Sequence, residues 1–419
     1  MAQLTGRELF DRAQEVLVGG VNSPVRAMRS IGRDPVFVDR AEGPYVWDTD
    51  GTRYVDYLSS WGPAILGHAN PEVIGALRDA LPLGTSYGAP TAREVLMAET
   101  VAAAFPSIDM IRMTSSGSEA VTGAIRLARA ATGRDGIVKT IGGYHGAIDP
   151  LLVEAGSGAT TLGHPNSPGV PAGAVADTRL VPYNDLAAAD AALAGAAAMI
   201  VEPVAGNMGT VLPGPGYLQG LRDACDRHGA LLILDEVITG FRLALGGAQE
   251  RFGVRADITC LGKIIGGGLP VGAFGARREI MRELAPVGPC YQAGTLSGNP
   301  LATTAGLTTL AALARPGVYE RLEESGRALE EAIVESGAPV TVNRIGSVLT
   351  PFFTDGPVTD YASATTSDTD AYGRFARALL DEGVSPPPSQ FECWFTGLTH
   401  GERELADTRA ALARAADRL

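Results

Sequence analysis

Leu231-Leu232-Ile233-Leu234-Asp235-Glu236-Val237 is the stretch on which the fold turns. Four apolar residues in a row, too few for a helix and without polar alternation, read as a strand covered on both faces. Such strands belong to parallel sheets sandwiched between helices. The strand ends on an acid. Asp235 at that place either caps the next helix or stays ionised against something positive. Leu261-Gly262-Lys263-Ile264-Ile265-Gly266-Gly267-Gly268 repeats the arrangement with an amine, ahead of a glycine-rich turn. That lysine is either solvated on a loop or placed to form a Schiff base with an aldehyde.

Outward from this pair, residues 70–305 alternate helical patterns with short apolar runs: Met110 to Thr114, Gly136 to Ile141, Ala198 to Val204, Ile258 to Leu261 and Val271 to Gly275. The alternation predicts an α/β fold with a mostly parallel sheet and helices on both faces. Before it, Glu8 to Val18 has helical spacing and Gly19 to Arg26 breaks it with turn residues. Val36-Phe37-Val38 and Tyr45-Val46-Trp47 then read as antiparallel strands, the second running into a hairpin at Asp50-Gly51. After Pro300 come a helix, strands at Val340 to Val342 and Val348 to Phe353, and a closing helix Glu402 to Arg418. The expected organisation is an N-terminal arm and part of a small domain (1–69), a large domain (70–305) and a C-terminal small α+β domain (306–419).

Composition narrows the function classes. With 45% hydrophobic and 19% charged residues among 419, the chain is globular, and no apolar run approaches the roughly 20 residues that span a bilayer. A net charge of −13 disfavours a grip on nucleic acid phosphates. Cys225, Cys260, Cys290 and Cys393 lack metal-ligand spacing, and the five histidines are dispersed, so no metal site is expected. The opening Met1-Ala2-Gln3-Leu4-Thr5-Gly6-Arg7-Glu8 has no basic stretch followed by an apolar core, which leads to a cytoplasmic expectation.

In open α/β sheets the ligand lies beyond the carboxyl ends of the strands, and the remaining motifs fall there. Ser115-Ser116-Gly117-Ser118-Glu119-Ala120 opens a helix, where Ser116, Gly117 and Ser118 could hold a phosphate. Ser116 as a plain N-cap with Glu119 is an equally good local reading. Tyr144 and His145 follow another strand, as a stacking and a donating group or as packed loop residues. Glu202 and Asn207 lie where a ring hydroxyl needs partners. Arg26, beside Ser23, is either a surface arginine or a carboxylate grip. Trp61 follows two serines. The Gly/Ser/Pro-rich stretch Ala155 to Gly173 is a lid or a surface loop. A lysine for an aldehyde and an aspartate for a pyridine nitrogen are the two protein groups that pyridoxal phosphate chemistry needs.

Taken together, these motifs resemble the class III aminotransferase family of pyridoxal-phosphate enzymes, and within it the glutamate-1-semialdehyde aminomutases, over nearly the whole chain. D-E-V-I-T-G-F-R at 235–242 and G-K-I-I-G-G-G at 262–268 mark the wider family. G-G-V-N-S-P-V-R-A at 19–27 and Y-Q-A-G-T-L-S-G-N-P at 291–300 are specific to the aminomutases. The resemblance implies a fold of the aspartate aminotransferase type (fold type I) and a homodimer with its active sites at the subunit interface. It implies that Lys263 is the catalytic lysine and that Asp235, Tyr144, His145, Ser116, Gly117, Ser118, Glu202, Asn207 and Val237 bind cofactor, with Thr295 contributed by the neighbouring subunit. Ser23, Arg26, Trp61, Ser157 and Glu392 would line the substrate pocket. The implied reaction is an isomerisation: intramolecular amino transfer making 5-aminolevulinate, a tetrapyrrole precursor, through pyridoxamine phosphate and 4,5-diaminovalerate. Glutamyl-tRNA reductase is the implied supplier of the unstable aldehyde, with direct docking on this chain left open. Gly143 and Ala147 depart from the C-Y-H-G-H common in relatives.

Overall fold

A computed structural model describes residues 4–419 apart from 157 and 162–165. Its centre is a seven-stranded sheet in the order Met110–Thr114, Gly272–Ala276, Ile258–Gly262, Leu231–Asp235, Ala198–Val201, Ile137–Thr140, Thr178–Val181. Six strands run the same way, and Gly272–Ala276 is antiparallel to both neighbours. Ile137–Thr140 and Ala198–Val201 are buried at every residue, as strands covered on both faces must be. The carboxyl ends of five parallel strands lead directly into Ser115, Ile141, Glu202, Glu236 and Lys263. Every motif singled out above for the cofactor, except Thr295, therefore sits on one edge of one sheet.

Two expectations about strands need correction. Thr178–Val181 was not anticipated; it is an edge strand whose Arg179 faces solvent, so its four residues carry no apolar run. The strand expected at Val36 to Val38 is instead Val38–Glu42, paired with Tyr45–Asp48 in a register that sets Glu42 opposite Tyr45. Its polar sequence hid it, because it too is largely exposed. The first helix runs Gly6–Val16, capped by Thr5 with Glu8 in a capping box, slightly earlier than its spacing suggested.

The termini meet in a second layer. Tyr45–Asp48 and Arg53–Asp56 pair across the Asp50-Gly51 turn, and Arg53–Asp56 accepts Val384–Ser385 as a parallel neighbour. Thr341–Ile345, Val348–Phe352 and Trp394–Phe395 form a third sheet. Ile31, Tyr54 and Tyr57 share one core with Leu349, Phe375, Leu379, Trp394 and Leu412.

The helix Gly117–Thr132 lies flat on the large sheet because Gly123 has no side chain: a Cβ there would sit 2.4 Å from the buried ring of Phe274. That ring fills the gap between helix and sheet. Phe274→Ala is expected to lower unfolding free energy by about 3–5 kcal/mol, read as a fall in the urea midpoint; an unchanged midpoint would show that the ring carries no such contact.

Candidate active site

A cavity of about 180 Å³ opens at the carboxyl edge, lined by Gly117, Ser118, Tyr144, His145, Glu202, Asn207, Asp235, Val237 and Lys263 among others. Chain segments far apart in sequence are thus brought together as expected. Asp235 is nearly buried; Oδ1 accepts the Val237 N–H at 3.1 Å, and Oδ2 lies 2.8 Å from His145 Nδ1. The second ring nitrogen of His145, Nε2, is buried without a hydrogen-bond partner among the described residues. Glu202 accepts from the N–H groups of Tyr144 and Gly206 and from Asn207 Nδ2, so Glu202 and Asn207 act as one unit. Burial raises the Glu202 carboxyl above its ordinary pKa.

Lys263 follows its strand in left-handed backbone, with φ of 47°, a conformation that costs a non-glycine residue about 1–3 kcal/mol and is found at functional sites. Burial pushes its amine below the ordinary lysine pKa, while Asp235, Glu202 and Glu392 oppose the shift. The amine therefore sits in a low-dielectric, net acidic pocket.

Ser116 serves as the N-cap of helix Gly117–Thr132, its hydroxyl accepting the Glu119 N–H at 3.2 Å, and it does not line the cavity. The capping reading holds there. Gly117 and Ser118 do line it, in a first turn whose N–H groups have no acceptor within the helix and whose dipole favours an anion. Gly146, at φ 88°, closes the cradle: a Cβ would fall 2.5 Å from Ser118 Oγ.

A second cavity of about 560 Å³ adjoins the first, sharing Tyr144, Asn207, Ile238 and Lys263, and is lined by Ser23, Arg26, Trp61 and Glu392. Arg26 is exposed. Ser157 lies outside the described residues. Thr295 is not brought to either cavity; it is exposed and lines a separate cleft with Tyr87, Pro90, Thr91 and Glu94. Ile238 and Phe395 line the second cavity and were not anticipated. Ile238 lies within the D-E-V-I-T-G-F-R motif at 235–242, whereas nothing in the sequence around Phe395 marks it.

Lys139 was also missed, although a lysine inside an apolar strand is itself a signal. It is wholly buried, and its ammonium donates to the carbonyls of Gly143, Leu151 and Val153 at 3.0, 3.2 and 2.8 Å. Burial lowers its pKa to about 8. These bonds pin the chain on both sides of Tyr144 and His145. Lys139→Met leaves those carbonyls without their donor, at a cost of about 1–3 kcal/mol. The expected outcome is a lower melting temperature with new protease cleavage between residues 143 and 153; a variant as resistant as the parent would refute the pinning role.

Residues 28–358 match the family Aminotransferase class-III. The chain is 56% identical to a glutamate-1-semialdehyde 2,1-aminomutase from Pelotomaculum thermopropionicum, over 97% of this chain and 96% of that protein. Among solved structures, an omega-transaminase from Sphaerobacter thermophilus superposes with a TM-score of 0.90 at 32% identity, covering 99% of this chain and 97% of that one. A variant glutamate-1-semialdehyde-aminomutase from Pseudomonas aeruginosa PAO1 in complex with PMP superposes with a TM-score of 0.87 at 27% identity, covering 99% and 94%.

Proposed function

The chain belongs to the class-III aminotransferase family, and from that membership we propose that it is a glutamate-1-semialdehyde 2,1-aminomutase. It would move an amino group within one five-carbon molecule, from (S)-4-amino-5-oxopentanoate to 5-aminolevulinate, for tetrapyrrole synthesis. The observation that carries the reading is the Lys263 amine, held below its ordinary pKa, sharing one cavity with Asp235 and the first turn of helix Gly117–Thr132. The identity to a named aminomutase over nearly the full chain narrows it from transaminase to aminomutase.

The residues present fit a pyridoxal or pyridoxamine phosphate. When bound, that group supplies an exchangeable amine or aldehyde and a conjugated ring that delocalises the charge left by a departing proton. Asp235, held by the Val237 N–H and His145, would keep a ring nitrogen protonated. Gly117 and Ser118 would hold the phosphate, Tyr144 would stack, and the Glu202–Asn207 unit would lie on the hydroxyl side. Lys263 would carry the proton between carbons, since burial leaves its amine readier to shed charge. In the adjoining cavity, Arg26 would hold the substrate carboxylate beside Ser23, Trp61 and Glu392. Retention of 4,5-diaminovalerate would be the task of the Ala155 to Gly173 stretch, of which Gly158, Ala159, Ser167 and Pro168 line that cavity.

The same reading carries a cytoplasmic homodimer. Thr295 would reach the phosphate of the neighbouring subunit; exposed Tyr87 lines its cleft, and Val95 and Leu96, next in sequence to the lining residue Glu94, and Leu296, next to Thr295, are exposed too, apolar surface suited to burial in such an interface. Glutamyl-tRNA reductase would supply the aldehyde.

Supplying purified protein with glutamate-1-semialdehyde and no oxo acid should yield 5-aminolevulinate; its absence would sink the assignment. Lys263→Ala should retain cofactor and lose about 10²–10⁴-fold in turnover. Because the proton acceptor is the neutral amine, turnover should rise with pH through the Lys263 pKa. That limb should lie below the ordinary lysine range and vanish in the variant, whereas a limb persisting in Lys263→Ala would assign it elsewhere.

A further inference from the structure

Trp61 reaches the second cavity from a turn that the backbone resists. Ser59, Ser60 and Trp61 take φ values of 48°, 56° and 67° in succession, and Gly62 follows at 111°. Consecutive left-handed residues other than glycine persist only where their surroundings over-determine them. One end is held by the Asp56 carboxylate, which accepts the N–H groups of Leu58 and Ser59 at 2.9 and 3.1 Å and is itself met by His68 at 2.7 Å. The other end is held by Arg242, which donates to the Gly62 carbonyl.

Arg242 is an unusual clamp. It is 1% exposed, and no carboxylate among the described residues forms an ion pair with it. Its NH1 donates to Ser347 Oγ at 3.0 Å and to the Thr396 carbonyl at 2.9 Å, and the guanidinium lies 5.1 Å from the Phe395 ring centre. Burial lowers its pKa to about 9, which leaves it charged at neutral pH. Burying a cation with no anion is costly, and an apolar side chain would serve packing better. The charge answers three acceptors contributed by three segments: the Trp61 turn, Ser347 and Thr396. Gly62 itself is wedged at the seam, where a Cβ would touch the Phe395 ring at 3.4 Å and Lys263 Cδ at 3.6 Å.

We propose that Arg242 is a positioning residue for the substrate cavity: by holding the Gly62 carbonyl it fixes the strained turn and presents Trp61 to substrate. The inference rests on the aminomutase reading for its kinetic arm only. Arg242 does not line either cavity, so it acts through the turn.

The test uses the holoenzyme with Arg242→Gln and Arg242→Lys, the latter keeping charge but losing the planar fork that serves three acceptors. In both variants KM for glutamate-1-semialdehyde should rise about tenfold or more while kcat stays within about threefold, and cofactor content should be unchanged. Acrylamide quenching of the Trp61 component, isolated by difference against Trp61→Phe, should increase without substrate. In a Trp61→Phe background, Arg242→Gln should add little further to KM, because both changes act through one side chain. Ser60→Gly, which takes a positive φ freely, should recover part of the KM loss. If the arginine variants fail to fold, Ser347→Ala, which removes one acceptor, should still raise KM and Trp61 quenching by about twofold. Unchanged KM and quenching, or effects fully additive with Trp61→Phe, overturn the proposal. A wild-type protein that makes no 5-aminolevulinate defeats the aminomutase reading instead, and the quenching comparison then decides the clamp alone.

Discussion

The rest of the site depends on charge being buried at the carboxyl edge of one sheet. Asp235 and Glu202 are buried at a small cavity that Lys263 also lines, and each acid is tolerable only because neighbours answer it. Asp235 is met by a backbone amide and an imidazole, and Glu202 by two amides and a side-chain carboxamide. Acids outnumber bases there. A cavity of that sign welcomes a cation beside Asp235, while the first helical turn at Gly117 and Ser118 offers N–H groups to an anion. The pocket is thereby polarised for a ligand positive at one end and negative at the other.

Two further buried cations work outside the cavity. Lys139 and Arg242 are each fully enclosed, each lack a carboxylate partner among the described residues, and each bind carbonyl oxygens instead. Carbonyls accept hydrogen bonds in any chain register, so a cation that gathers several of them fixes backbone and leaves side chains free for the ligand. One holds the loop of Tyr144 and His145, the other the turn of Trp61. The two walls of the ligand space are therefore held by the same physical device.

Much of the cofactor side was legible in the residues, because parallel strands announce themselves as apolar runs and their ends locate the site. Asp235, Lys263, Glu202 and Tyr144 were found by that rule alone. Ser116 shows its limit: a cap and an anion cradle share one geometry, and only the fold shows its hydroxyl accepting the Glu119 N–H. On the substrate side, Arg26 beside Ser23 was legible as one of two readings and Glu392 only through resemblance, since these residues and Trp61 come from arm, turn and C-terminal segments with no common periodicity. Phe395 stayed hidden in a strand of two residues, and Thr178–Val181 in an exposed edge. Lys139 and Arg242 had local signals, a charge within an apolar strand and one after a phenylalanine. Their acceptors, however, include carbonyls that folding alone assembles.

The parallel pairing of Arg53–Asp56 with Val384–Ser385 has a bearing on how the chain is made. A ribosome delivers the N-terminal hairpin first, yet the strand that completes its sheet and much of the core beneath it arrive only when synthesis is nearly over. Closing so long a loop is entropically slow. The large sheet, built from segments close in order of emergence, has its partners at hand far earlier. The partner of the N-terminal hairpin, and the wall of the second cavity formed by Glu392 and Phe395, thus leave the ribosome only after every strand of the large sheet has emerged.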